Sequence, residues 1–219
     1  MLKIPPINTI LVPQGAEYQA VKRGLNRASG EKPTVIAIPV GVQPLRKYLQ
    51  KWTGEKNRIL LMGLCGSLQT HHAVGDIVLY KDCTYQEKLQ KCNNTLTAQI
   101  QTLLSDKVTL VKSLTSDRLI WAAAEKRYLG QTSGADVVDM EGYTALEYFP
   151  TVAILRVVSD NAQHDIPDLT SAISLDGSLK PVQLAIAFFR QPLAATRLIR
   201  GSLRGLKVLE QITTTLFST

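Results

Sequence analysis

Val152-Ala153-Ile154-Leu155-Arg156-Val157-Val158-Ser159-Asp160 is the stretch on which the fold turns. Its opening run is short and apolar and reads as a strand buried on both faces. Arg156 then interrupts an apolar setting, and a buried charge is expensive unless it has partners. Comparable runs recur at Thr9-Ile10-Leu11-Val12, Thr34 to Ile38, Arg58 to Met62, Asp76 to Leu79 and Val108 to Val111, and each reads the same way. Between them, helical periodicity predicts helices over Glu17 to Ala28, Pro44 to Lys51, Leu96 to Leu104, Arg118 to Leu129 and Gly142 to Tyr148. Strands that alternate with helices imply a mostly parallel sheet with helices on its faces. From Leu179 onward the chain reads as helix, broken at Pro192. No repeat or low-complexity linker divides it, so residues 1–219 are expected to form one α/β domain.

In such a sheet, ligands sit where strands end and helices begin. Four strand ends carry unusual chemistry: Gly15-Ala16-Glu17, Gly63-Leu64-Cys65-Gly66-Ser67, Asp139-Met140-Glu141-Gly142, and Arg156 with Ser159-Asp160. Taken singly, several have plain readings. Glu17 opens a helix, where a carboxylate favours the dipole, and Ser159-Asp160-Asn161 is turn-like. Glu141 and Arg156 are charges in apolar strands, which suits a site but also suits a structural ion pair. Gly63 to Ser67 reads as a glycine-containing loop that lets a ligand approach the backbone. It matches neither G-x-G-x-x-G nor a Walker loop. A strained elbow at Gly63-x-Cys65-x-Ser67 would make Cys65 a nucleophile, but the spacing nominates no base among His71, His72 and His164.

Composition narrows the classes. Of 219 residues, 45% are hydrophobic and 20% charged, so the chain should fold rather than stay disordered. No apolar run approaches the ~18 residues of a bilayer-spanning helix, and Met1-Leu2-Lys3-Ile4-Pro5-Pro6 lacks the pattern of a secretory signal. A cytoplasmic location is expected. Cys65, Cys83 and Cys92 have no metal-ligand spacing, the histidines no H-E-x-x-H pattern, and His71-His72 reads as an exposed turn, so no metal is expected. The net charge of +7 invites an anionic partner. Nucleic acid is not favoured, because no basic stripe alternates with stacking aromatics.

Gly15-Ala16-Glu17, Gly63-Leu64-Cys65-Gly66-Ser67-Leu68, Val74-Gly75-Asp76-Ile77-Val78, Val138-Asp139-Met140-Glu141-Gly142 and Arg156-Val157-Val158-Ser159-Asp160, in this order, resemble the purine nucleoside phosphorylase and methylthioadenosine/adenosylhomocysteine nucleosidase superfamily. The tail, with Ile166-Pro167, Asp176-Gly177 and Arg190-Gln191-Pro192, looks more like hopanoid-associated phosphorylases. The resemblance implies a three-layer α/β/α fold with a mixed, mostly parallel central sheet. It implies cleavage of the N-ribosidic bond of an adenosine-type nucleoside, without a cofactor and in a homo-oligomer. Asp160 would donate to purine N7 and Glu17 would activate water. Glu141 would bind the ribose hydroxyls, Met140 would pack on the sugar, and Arg156 would orient the carboxylates. Gly63 and the amides around Cys65 and Gly66 would address the nucleophile, and Leu119 and Ile120 would lie beside the base. Leu64 and Leu61 stand where related enzymes have a serine and a phosphate-binding arginine, so water is favoured over phosphate as nucleophile. Phosphorolysis and a catalytically idle nucleoside-binding protein are the alternatives. Leu119 stands where nucleosidases have an aromatic residue.

The tail contributes +4 of the +7. Arg197, Arg200, Arg204 and Lys207 share one helical face, with Leu198, Ile199, Leu203, Leu206 and Leu209 gathered opposite. A solvated face and a peripheral contact with anionic lipid are the two readings, and both place the excess charge outside the active site.

Overall fold

The computed structural model describes residues 7–174, 178 and 180–218. Asp176-Gly177 and the Met1 to Pro6 stretch lie outside them. The strands are β1 (Thr9–Pro13), β2 (Thr34–Ile38), β3 (Ile59–Ser67), β4 (Ile77–Tyr85), β5 (Lys88–Lys91), β6 (Thr109–Thr115), β7 (Val137–Asp139) and β8 (Val152–Asp160). The helices are α1 (Ala16–Arg27), α2 (Val42–Leu49), α3 (Asn94–Leu104), α4 (Ala123–Ser133), α5 (Gly142–Tyr148), α6 (Pro181–Arg190) and α7 (Pro192–Leu216).

All eight strands join one mixed, mostly parallel sheet. β3 pairs with β7 and β8, β8 with β4, β4 with β6 and β6 with β7, which closes a circuit of five strands. β1 and β2 extend the sheet from β3, and β5 flanks β4. One apolar core gathers Val12, Leu60, Met62 and Leu155 with Val21 and Leu25 of α1, Ile100 of α3 and Leu209 and Ile212 of α7. Another gathers Leu11, Leu61, Ile154 and Val158 with Leu45 and Leu49 of α2 and Ala145 of α5. The α/β/α layering follows, because residues that alternate along a strand point to opposite faces.

Several elements differ from the sequence expectation. β2 is an edge strand with Thr34 and Ala37 exposed, so it is not buried on both faces. β5 was not foreseen; it forms a hairpin with β4 through Gln86 and Glu87, both at positive φ, in place of the usual Asn-Gly. Gly63 to Ser67 is strand rather than loop, held between β8 and β7. α4 begins at Ala123, whose N–H donates to Asp165 Oδ1 at 2.7 Å, so Arg118 to Ala122 precede the helix. Pro192 is the first residue of α7, where its missing N–H costs nothing. Gly201 and Gly205 seat α7 on β8. A Cβ at Gly201 would collide with the Ser159 carbonyl, and one at Gly205 would lie 2.9 Å from Leu64 Cδ2.

Candidate active site

A cavity of about 170 Å³ opens where β1, β3, β7 and β8 end. Glu17, Cys65, Gly66, Leu119, Ile120, Met140, Glu141 and Asp160 all line it, as the sequence reading expects. Gly63 and Arg156 lie behind the wall. Arg156 is completely buried, and its Nη2 donates to Asp139 Oδ2 at 2.9 Å and to Glu141 Oε2 at 3.0 Å. Burial alone would pull the guanidinium pKa down, but Asp139 and Glu141 outweigh it and hold the group above the usual arginine value. Asp139 also accepts the Thr115 hydroxyl and the Gly142 amide, and Gly41 N–H donates to Glu141 Oε1 at 3.0 Å. Glu141 is therefore held by a guanidinium on one oxygen and an amide on the other.

Glu17 sits in the first turn of α1, half-buried, with its carboxylate turned inward to accept the Leu64 amide at 2.6 Å. Burial raises its pKa to about 7, against the opposing pull of Arg156. Burial likewise raises Glu141, again opposed by Arg156. Gly63 explains how these groups can stand so close. A Cβ there would strike Arg156 Nη1 and lie 2.6 Å from Glu17 Oε1, so only glycine leaves room. Arg156 Nη1 and Nε are buried without a hydrogen-bond partner. One arginine thus pairs with Asp139 and Glu141 and acts on Glu17 through its charge, and all three acids line the cavity.

The strand end also aims Asp160. Cys65 pairs with Val158 and Gly66 with Asp160, so Ser159 is an extra residue in a β-bulge, a device that re-aims side chains beside sites. Ser159 Oγ lies 3.2 Å from the Cys65 carbonyl and 3.0 Å from Asp160 Oδ1, and its one hydroxyl proton is shared between these two acceptors. Gly66 gives the carboxylate space, since a Cβ would lie 2.8 Å from Asp160 Oδ2. The backbone around Cys65 and Gly66 belongs to the strand ladder. The amide that meets a catalytic candidate is that of Leu64. Burial pushes the Cys65 thiol up, and no histidine lines the cavity, which removes the cysteine-nucleophile reading.

Lys126 is the residue that sequence reasoning missed. It is completely buried in α4, and its Nζ pairs with Asp160 Oδ2 and donates to the Asn161 carbonyl at 3.3 Å. Between Glu125 and Arg127 it reads as an ordinary solvated helix charge, and only the tertiary fold reveals its burial. Lys126→Met is expected to destabilise the protein by about 3 kcal/mol, because it leaves a buried carboxylate uncompensated. Urea unfolding of the single and double variants checks this. Adding Asp160→Asn should recover most of the loss, and additive losses would show the pair to be uncoupled.

One side of the cavity is apolar, with Leu119, Ile120, Val138 and Leu64. None of the described lining residues is aromatic. Arg118, also unforeseen, lines it while paired to Glu125. Elsewhere His71, His72 and Asp136 bring ligand atoms within 4.8 Å of one another and could hold a cation. His72 is buried, contrary to the exposed turn expected for it.

No family model matches the sequence, and no curated protein matches it. Solved structures do. The 5′-methylthioadenosine/S-adenosylhomocysteine nucleosidase of Helicobacter pylori superposes with a TM-score of 0.67 at 13% identity, over 97% of this chain and 99% of the other. Futalosine hydrolase of the same organism gives 0.67 at 13% identity, over 95% and 96%. The nucleosidase of Campylobacter jejuni gives 0.60 at 15%, over 93% and 98%. The chain has the nucleosidase fold. Within that fold, the strand-end cavity of Glu17, Glu141 and Asp160 is the candidate active site. Among the described residues, no helix is long and apolar enough to cross a membrane.

Proposed function

We propose that the protein hydrolyses the N-ribosidic bond of an adenosine-type nucleoside and releases adenine. The convergence of Glu17, Glu141 and Asp160 on one cavity at the strand ends carries this reading. A Helicobacter nucleosidase of the same fold has been solved with 5′-methylthioadenosine in its active site. The purine lies between Leu119, Ile120 and Val138 with N7 toward Asp160. The ribose hydroxyls meet Glu141, with Met140 against the sugar. As the bond to the base lengthens, the sugar becomes cationic and the purine gains negative charge. Asp160 supplies a proton at N7, with the Lys126 ammonium behind it as the source. Glu17, with its pKa near 7, takes a proton from water as the oxygen joins the ribose carbon.

Water is the nucleophile supported by the surroundings. Leu61 is buried in the core, and Arg156 is committed to Asp139 and Glu141. A dianionic phosphate would meet Glu17 and Glu141, and Arg118, the only basic residue among the described lining residues, is paired to Glu125. Exposed Val182, Ile186 and Phe189, spaced on one stripe of α6, support association with a second copy.

Incubation with adenosine and 5′-methylthioadenosine, with and without phosphate, tests the reading by adenine release. Release independent of phosphate is expected. Strict phosphate dependence would make the enzyme a phosphorylase, and no release from either nucleoside would overturn the activity. Asp160→Asn should lower kcat by ~10² or more; a wild-type rate would remove Asp160 as the acid.

A further inference from the structure

Arg197, Arg200 and Arg204 line a second cavity of about 310 Å³, and its other wall includes Ser159, Asp160 and Asn161. The two cavities therefore share Ser159 and Asp160. The basic face of α7 borders the active site, which corrects the expectation that its charge lies apart from it. Gly201 and Gly205 enforce this placement by seating α7 on β8. Gly75, at φ +96°, adds to it, since a Cβ there would lie 2.9 Å from Arg204 Nε.

Arg197, Arg200 and Arg204 are exposed and fall within two helical turns, and an anion bound among them would relieve their mutual repulsion. Among the described residues, none of the three has a hydrogen bond or an ion pair. The acids on the cavity wall are engaged elsewhere. Asp160 takes Lys126 and Ser159, and Asp165 Oδ1 takes the Ala123 amide. Free guanidinium forks match the geometry of carboxylate and phosphate oxygens.

We propose that Arg197, Arg200 and Arg204 form an oxyanion subsite for a carboxylate or phosphate group carried on the base side of the substrate. This rests on the reading that Asp160 faces purine N7. The same purine edge carries the exocyclic 6-amino group, and because Ser159 and Asp160 line both cavities, on this proposal a substituent there is directed toward the arginines. An acidic group at the ribose end would instead meet Glu17 and Glu141. The favoured substrate class is an adenosine whose 6-amino group bears an acidic substituent.

Calorimetric titration of the full chain with adenosine, with N6-(1,2-dicarboxyethyl)adenosine and with inorganic phosphate tests this, in the wild type and in Arg200→Gln/Arg204→Gln. The dicarboxylate nucleoside should bind ~10-fold or more tighter than adenosine, as charge-assisted hydrogen bonds allow. That ratio should fall toward one in the double variant. Equal affinities in the wild type, or a ratio that survives the double substitution, overturn the subsite. So does arginine-dependent binding confined to inorganic phosphate, or to sedimented phosphatidylglycerol vesicles, because the oxyanion then comes from another source. Adenosine cleavage without the preference sinks the subsite alone. The arginine-dependent preference without release of the purine base from either nucleoside sinks the hydrolase reading alone.

Discussion

Glu17→Gln is expected to lower kcat by ~10²-fold or more and, at pH 8, to raise the melting temperature. The two effects share one cause. Burial holds the Glu17 carboxyl near pKa 7, so ionising it within the folded protein costs free energy that ionisation in the unfolded chain does not. Between the usual glutamate value of 4.5 and about 7 the folded state binds the proton more tightly. Stability from this group is therefore complete below 4.5 and is lost as pH rises through 7. Glutamine keeps an oxygen for the Leu64 amide but never ionises, so at pH 8 it should add on the order of 1–3 kcal/mol. At pH 4.5 the two proteins should melt together. Catalysis moves in the opposite direction, because glutamine cannot take a proton from water, and general bases contribute ~10²–10⁴ in rate. In the wild type, kcat/KM should rise with pH through an apparent pKa near 7, and the variant should lose that limb. A variant that is both less active and less stable at pH 8 would make Glu17 a structural residue.

The legible part of this site was the part where charge interrupts an apolar strand. Arg156 among Ile154, Leu155 and Val157, and Glu141 after Val137-Val138, stand out because such strands have no solvent for a charge to reach. Lys126 gave no such signal: it sits in a helix between Glu125 and Arg127, where a charge is ordinary, and it gains its meaning from Asp160, far along the chain. Arg200 was legible as part of a basic helical face, but the cavity which that face borders was not. Gly201 and Gly205 were the readable clue to the second case, since two glycines four apart in a long helix mark a face that something approaches closely. The Gly63 to Ser67 segment misled for a related reason. Its glycines suggested a turn, but they make room for Arg156, Glu17 and Asp160 beside a continuous strand. β2 looked central by composition because an edge strand can be apolar. Its exposure depends on which neighbours the topology gives it.

Arg156→Leu should be the most destabilising single change at the site, by about 5 kcal/mol at pH 8. Leucine fits the apolar surroundings but removes the only cation that the described structure places between Asp139 and Glu141, and it removes the charge that opposes the upward shift of Glu17. Buried acids then face one another without compensation. They can relieve this by taking up protons, and Glu141 and Glu17 are already raised in the intact site. In the variant the folded state would bind protons still more tightly than the unfolded chain, so stability would fall further as pH rises. Urea unfolding should thus show a smaller loss at pH 5 than at pH 8. Arg156→Lys should recover part of the pH 8 loss, since an ammonium restores the charge without the fixed planar geometry that places Nη2 between the two carboxylates. A loss that is the same at both pH values would mean that packing, rather than charge, is what Arg156 contributes, and the acids would then be organised by the Gly41, Leu64 and Gly142 amides.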